Sequence, residues 1–196
     1  MTEVETPRGP ARVHLHPVDG AVGGVVLGHG AGGGVTARDL VAATGAANDA
    51  GWSVALVEQP YRVAGRKSPA PAPQLDEAWT AVVAWLREHE LAGLPLVCGG
   101  RSAGARVACR TAEAVGATGV LCLAFPVHPP GRPEKTRQPE LDAVGVPALV
   151  VQGESDPFGM PVGSDTCTVV TVRGNHSLGE MGKVADAIRD WLPRLL

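Results

Sequence analysis

The sequence predicts an α/β fold: a mostly parallel sheet with helices on both faces. Short β-branched apolar runs recur along the chain. Each is followed by a longer stretch with helical spacing of its apolar residues, and glycine marks several of the joints. Strands that alternate with helices in this way need crossover connections, which build parallel sheets covered on both faces. At 196 residues the chain fits one domain, expected over 1–196, with the polar stretch 1–10 flexible.

An early strand is expected over Arg12 to Leu15, pairing at an edge. Val25-Val26-Leu27 reads as a buried strand that runs into the glycine-rich stretch from Gly28 to Gly34. A helix should follow from Ala37 to Ala50, with Gly51 as its stop, then a strand from Ser53 to Val57. A proline-rich loop is expected from Gln59 to Pro73. Leu75, Ala78, Trp79, Val82, Val83 and Leu86 then form one face of a helix.

Leu96-Val97-Cys98 is the next strand, and a helix is predicted over Ala103 to Val115. Val120–Leu123, Ala148–Val151 and Thr168–Val172 complete the sheet. The closing helix carries Val184, Ala187, Ile188, Trp191 and Leu192 on one face and ends at Pro193. Residues 126–140 are the longest insertion after Leu123, too short for a substantial lid.

Composition narrows the function. A formal net charge of −3 and an aromatic content of 4% supply neither a basic field nor stacking platforms for nucleic acid. No apolar run reaches the ~20 residues of a membrane span, and the N-terminus has no signal-peptide pattern, so the expectation is cytoplasmic, with no membrane partner. Cys98, Cys109, Cys122 and Cys167 lie in apolar segments without metal-site or CxxC spacing and read as buried thiols, with no metal implied.

Two glycine motifs compete for the chemistry. Gly28-x-Gly30-x-x-Gly33 follows a strand and precedes a helix, as a dinucleotide fingerprint does, and a nucleotide-binding oxidoreductase is one alternative it raises. The glycine run continues through Gly34, however, and the turn is not tight. Gly100-Arg101-Ser102-Ala103-Gly104 is a G-x-S-x-G between a strand and a helix. A serine on so sharp a turn takes a strained backbone, and its neighbours two residues away must be small.

The rest of the chain order agrees with this second motif. Asp156 follows the strand Ala148–Val151, and His176 follows the strand Thr168–Val172, giving the order Ser…Asp…His of the α/β-hydrolases. The glycine run after the earlier strand then acquires a role in the same chemistry. His29-Gly30-Ala31-Gly32 is suited to carry one backbone donor of an oxyanion hole.

The chain also resembles the compact α/β-hydrolase family related to dienelactone hydrolases, which includes a testis-expressed protein and a subunit of a non-specific-lethal chromatin complex. The matching stretches are His29–Gly32, Pro60-Tyr61-Arg62-x-x-Gly65-Arg66-Lys67, Gly99–Ser102, Phe125–Gly131, Val151-Gln152-Gly153-x-x-Asp156-Pro157-Phe158-Gly159 and Asn175-His176-Ser177. Ala103 stands where close relatives have methionine, and Ala105 where glycine is frequent. The resemblance implies a hydrolase fold and reaction class, and a non-catalytic interaction module as another alternative.

The expected roles follow from the residue chemistry. Ser102 is the candidate nucleophile and His176 the general base. Asp156 orients the imidazole, with Glu154 and Asp165 as substitutes. The N–H groups of Ala31 and Ala103 are the expected oxyanion donors, with Gly32 in reserve. Gly32, Tyr61, Arg62 and His128 are candidate substrate contacts. His29 is expected to brace the oxyanion loop, and Arg101 and Arg106 to tie loops together. The reading is a serine hydrolase for a small carboxylic ester or thioester. It requires no cofactor, and a small acyl substrate is its only partner.

Overall fold

A computed structural model describes all 196 residues. Eight strands form one sheet: β1 (Thr2–Val4), β2 (Ala11–His16), β3 (Gly23–Gly28), β4 (Trp52–Glu58), β5 (Leu96–Arg101), β6 (Gly119–Leu123), β7 (Ala148–Gly153) and β8 (Cys167–Val172). Their spatial order is β1-β2-β4-β3-β5-β6-β7-β8. β1 and β2 run antiparallel to their neighbours, and all pairings from β4 to β8 are parallel.

Side-chain alternation along each strand divides the core in two. Val25 and Leu27 of β3 point to one face and Val26 to the other. Helices α1 (Arg38–Asp49) and α6 (Met181–Trp191) cover the first face, where Leu40, Ala43 and Ala47 pack with Val184, Ile188 and Trp191. Helices α3 (Ala72–Glu88) and α4 (Ala103–Thr111) cover the second with Trp79, Val82, Leu86, Val107 and Ala108. The central strands β3 to β7 are buried along almost their whole length because both faces are covered.

Three expectations are corrected. The stretch 1–10 is not uniformly loose: Thr2–Val4 pairs with Ala11–Val13, and Val4 is buried. The early strand is therefore one position in from the edge, with β1 outside it. The loop after β4 contains a short helix, α2 (Pro60–Val63), opened by Pro60 at its first position, where a missing N–H costs nothing. The helix after Ser102 stops at Thr111 rather than Val115, and turns carry the chain to Gly116, whose φ is +60°.

The segment between β6 and β7 holds only α5 (Gln138–Asp142), so no helical lid rises over the carboxyl ends of the strands. All four cysteines are buried free thiols. Burial pushes Cys98 up to about 12 and Cys167 to about 11. No helix is long and apolar enough to cross a membrane.

Candidate active site

The chain leaves β3 outward to β4 and returns to β5 on the other side of β3. The crevice between the carboxyl ends of β3 and β5 is thus the topological switch point, where ligands of open α/β sheets bind. Ser102 follows β5 there, and Ala31 follows β3.

Ser102 has φ 51° and ψ −109°, a conformation that a non-glycine residue holds at a cost of about 1–3 kcal/mol. The surrounding fold enforces it. Its N–H donates to the Leu123 carbonyl (2.9 Å), and its own carbonyl accepts from Arg106 N–H (3.2 Å). The glycines two residues either side are required by close approach. A Cβ on Gly100 or on Gly104 would collide with the Gly28 carbonyl oxygen of β3. Gly28, the first glycine of the dinucleotide-like motif, therefore packs against this turn.

A serine before a helix commonly caps it, but the Ser102 side chain makes no capping bond. Its Oγ lies 2.8 Å from His176 Nε2 instead, and His176 Nδ1 lies 2.8 Å from Asp156 Oδ2. A carboxylate facing Nδ1 holds the proton on that nitrogen, which leaves Nε2 to accept the serine proton. The Asp156 side chain is fully buried. Phe158 N–H donates to its Oδ1 (2.8 Å), and the Gln152 amide nitrogen lies 3.0 Å from its Oδ2.

Gln152 is itself fully buried, and its Nε2 is also within reach of the carbonyls of Phe125 (3.0 Å) and Gly159 (2.8 Å). All three neighbours are acceptors, which orients the amide. Gly153, the next residue, has no room for a side chain because the Asn175 carbonyl lies against it. The acid-bearing and histidine-bearing loops meet at that contact. The Phe158 ring stacks on the His176 ring with centroids 4.1 Å apart.

Arg101 joins the remaining loops. Its Nε donates to the buried Asp39 at the start of α1 (2.9 Å), and its Nη2 donates to the His176 carbonyl (2.9 Å). Burial raises the Asp39 carboxyl above its ordinary range, against the pull of the Arg101 cation. His29 braces the glycine loop: Nδ1–H donates to the Gly30 carbonyl (2.8 Å), and Nε2 accepts from Gln59 N–H (3.1 Å). Both ring nitrogens are committed to the neutral form.

Burial accordingly lowers the His29 pKa below the ordinary imidazole range. Above that range, the imidazole is neutral whether the chain is folded or not, and the stabilisation is complete. As pH falls through it, the unfolded chain takes up a proton that the folded one refuses, and stability declines until the folded pKa is passed. Chemical denaturation from pH 8 to pH 5 should show this decline in the wild type. His29→Gln should be less stable at pH 8 and should lose stability less steeply on acidification. Parallel slopes would contradict the assignment.

The cleft beside Ser102 has a volume of about 310 Å³ and includes Ala31, Ala103, Pro126 and Phe158 in its lining. Ala103 opens α4, so its N–H has no partner within the helix. Ala31 N–H takes no part in the backbone hydrogen bonds of its loop. Gly32 adjoins open space. Three candidate substrate contacts lie elsewhere. Tyr61 turns its hydroxyl to the Ala31 carbonyl (2.8 Å) and so supports the glycine-rich loop after β3. Arg62 is directed to the Arg66 carbonyl (3.3 Å). His128 donates to or accepts from nothing in the cleft; its Nδ1 faces the Pro129 carbonyl (2.9 Å), and its ring lies against Gly159.

Glu154 and Asp165 are both exposed and make no bond to His176. Asp39 had no distinct sequence signal. The Val-Gln-Gly-x-x-Asp-Pro-Phe stretch placed Gln152 and Phe158 beside Asp156, without showing that they touch it.

The sheet order, the strained serine turn and the Ser–His–Asp hydrogen-bond relay define an α/β-hydrolase architecture. The chain belongs to the alpha/beta hydrolase domain family, which it matches over residues 22–183. Among solved structures, it is similar to XC6422 from Xanthomonas campestris, described as an α/β serine hydrolase without lid. The TM-score is 0.75 at 21% identity, covering 98% of this chain and 94% of that one. It is similar to Est1E from Butyrivibrio proteoclasticus, solved with ferulic acid bound, at TM-score 0.81 and 16% identity over 100% and 99% of the two chains. The dienelactone hydrolase of Anabaena variabilis gives 0.75 and 18% over 98% and 95%. No curated protein matches the sequence.

Proposed function

We propose that the protein is a serine hydrolase that cleaves a small carboxylic ester or thioester through an acyl-enzyme. The observation that carries this reading is the continuous relay Ser102 Oγ–His176 Nε2 and His176 Nδ1–Asp156 Oδ2, with both separations at 2.8 Å. Ser102 Oγ attacks the acyl carbon while His176 takes its proton. The imidazolium, stabilised by Asp156, then protonates the departing alcohol or thiol. Water, deprotonated by His176, attacks the acyl-enzyme; the acid leaves and Ser102 regains its proton. The N–H groups of Ala31 and Ala103 hold the oxyanion in both steps, and one such donor is typically worth ~3–4 kcal/mol of barrier.

The volume of the cleft and the short β6–β7 connection support a small, water-soluble substrate over a long acyl chain. A fluorophosphonate probe is the direct test. It should modify the wild type at Ser102, and Ser102→Ala should stay unlabelled with an unchanged circular dichroism spectrum. Labelling of a different serine, or none in the folded wild type, would refute the proposal.

A further inference from the structure

Three guanidinium groups line the Ser102 cleft, from Arg106, Arg110 and Arg137, and no carboxylate does. Two of the three are neutralised from outside. Arg106 makes a bidentate pair with Glu140, with bonds of 2.6 and 2.8 Å. Arg110 makes one with Asp76, of 2.6 and 2.8 Å, and reaches Glu140 at 3.4 Å. Burial opposes the Glu140 charge, yet Arg106 and Arg110 outweigh it and hold this carboxyl below its usual range. Two carboxylates thus serve three cations, and the excess charge belongs to Arg137.

Arg137 has no ion pair. Its Nη1 donates at 3.3 Å to the Pro126 carbonyl, and no other side-chain hydrogen bond engages its guanidinium. Its position is set by the backbone, since Arg137 N–H donates to the Val127 carbonyl (2.6 Å) just before α5 begins. Partial burial, with the Arg106 cation nearby, lowers its pKa, against the pull of the Glu140 charge. A half-buried guanidinium with free N–H groups, in a cleft whose lining holds no carboxylate, suits an anionic oxygen pair, because its planar fork matches a carboxylate in geometry as well as charge.

We propose that the substrate of this site is an ester or thioester that carries a second, free carboxylate, held by Arg137 while Ser102 attacks the acyl carbon. The proposal rests on the serine-hydrolase reading above and adds the substrate class. The carboxylate can belong to the acyl part or to the leaving group, and the two sources are separated by choice of ester. Mono-p-nitrophenyl adipate against p-nitrophenyl hexanoate places the charge on the acyl side; 3-acetoxybenzoate against phenyl acetate places it on the leaving group.

In one of these pairs the wild type should favour the charged ester in kcat/KM by at least tenfold. Arg137→Gln should cut that charged-to-neutral ratio tenfold or more, mainly through KM, and Arg137→Lys should restore part of it. Because both esters need the same folded enzyme, a merely structural role for Arg137 would leave the ratio unmoved. A wild-type ratio of one or less in both pairs, or a ratio that Arg137→Gln does not change, overturns the proposal. So does a protein that labels at Ser102 with fluorophosphonate yet cleaves none of the four esters. In those cases the hydrolase reading survives, whereas absence of labelling at Ser102 removes both.

Discussion

Replacing either Ser102 or His176 with alanine is expected to lower kcat for p-nitrophenyl acetate by about 10⁶, and replacing both should lower it no further. The reason is that the two side chains form one device. Ser102 Oγ is 2.8 Å from His176 Nε2, and neither a hydroxyl without a base nor a base without a hydroxyl forms the acyl-enzyme. Residual turnover above the rate in water should persist in all three variants, since Ala31 and Ala103 would offer backbone N–H groups that survive these substitutions. Pre-steady-state kinetics decide the matter: the burst of p-nitrophenolate should vanish with either substitution. Losses that multiply in the double variant would show that the two residues act independently, against the relay.

Asp156→Asn should lower kcat by about 10⁴ with little change in fold. The carboxylate of Asp156 accepts from three directions: the His176 ring, the Gln152 amide and the Phe158 N–H. An asparagine amide in its place would present its NH2 either to both Nδ1 and the Gln152 amide, at the Oδ2 position, or to the Phe158 N–H, at the Oδ1 position. Either orientation creates a clash of donors or favours the tautomer with the proton on Nε2, where it blocks uptake of the serine proton. Glu154→Gln and Asp165→Asn, both at exposed positions, should leave activity within about twofold. Activity near that of the wild type in Asp156→Asn, with a large loss in one of the other two, would move the role of the acid.

Much of this site was legible in the linear order because its marks are local even where the contacts that hold it are not. A serine between glycines two residues away, after an apolar run and before a helix, marks a sharp turn, which Leu123 and Gly28 of neighbouring strands then hold. Gly100 and Gly104 are needed at the distance where the Gly28 carbonyl passes. Asp156 and His176 were legible for a related reason: in a parallel sheet, the loops after successive strands emerge at one edge, so order along the chain translates into neighbours in space. By contrast, Tyr61 and His128 have the right chemistry in loops at that same edge, yet they turn away, to the Ala31 carbonyl and to the Pro129 carbonyl. Which way a loop side chain points depends on partners distant in sequence.

The sequence by itself therefore determined the α/β layering, the parallel crossover connections and the loops in which Ser102, Asp156 and His176 stand, through apolar period, glycine placement and the order of elements. Only the tertiary structure decided how the polar residues pair. Arg101 finds Asp39 across 62 positions of chain, Gln152 finds an acceptor from Phe125 27 positions earlier, Arg106 and Arg110 share Glu140, and Arg110 also takes Asp76. Charge pairing is long-range in sequence and short-range in space, and nothing in a linear pattern says which of several arginines is left over. In this fold it is Arg137, a cation without a counterion in the cleft of the candidate nucleophile.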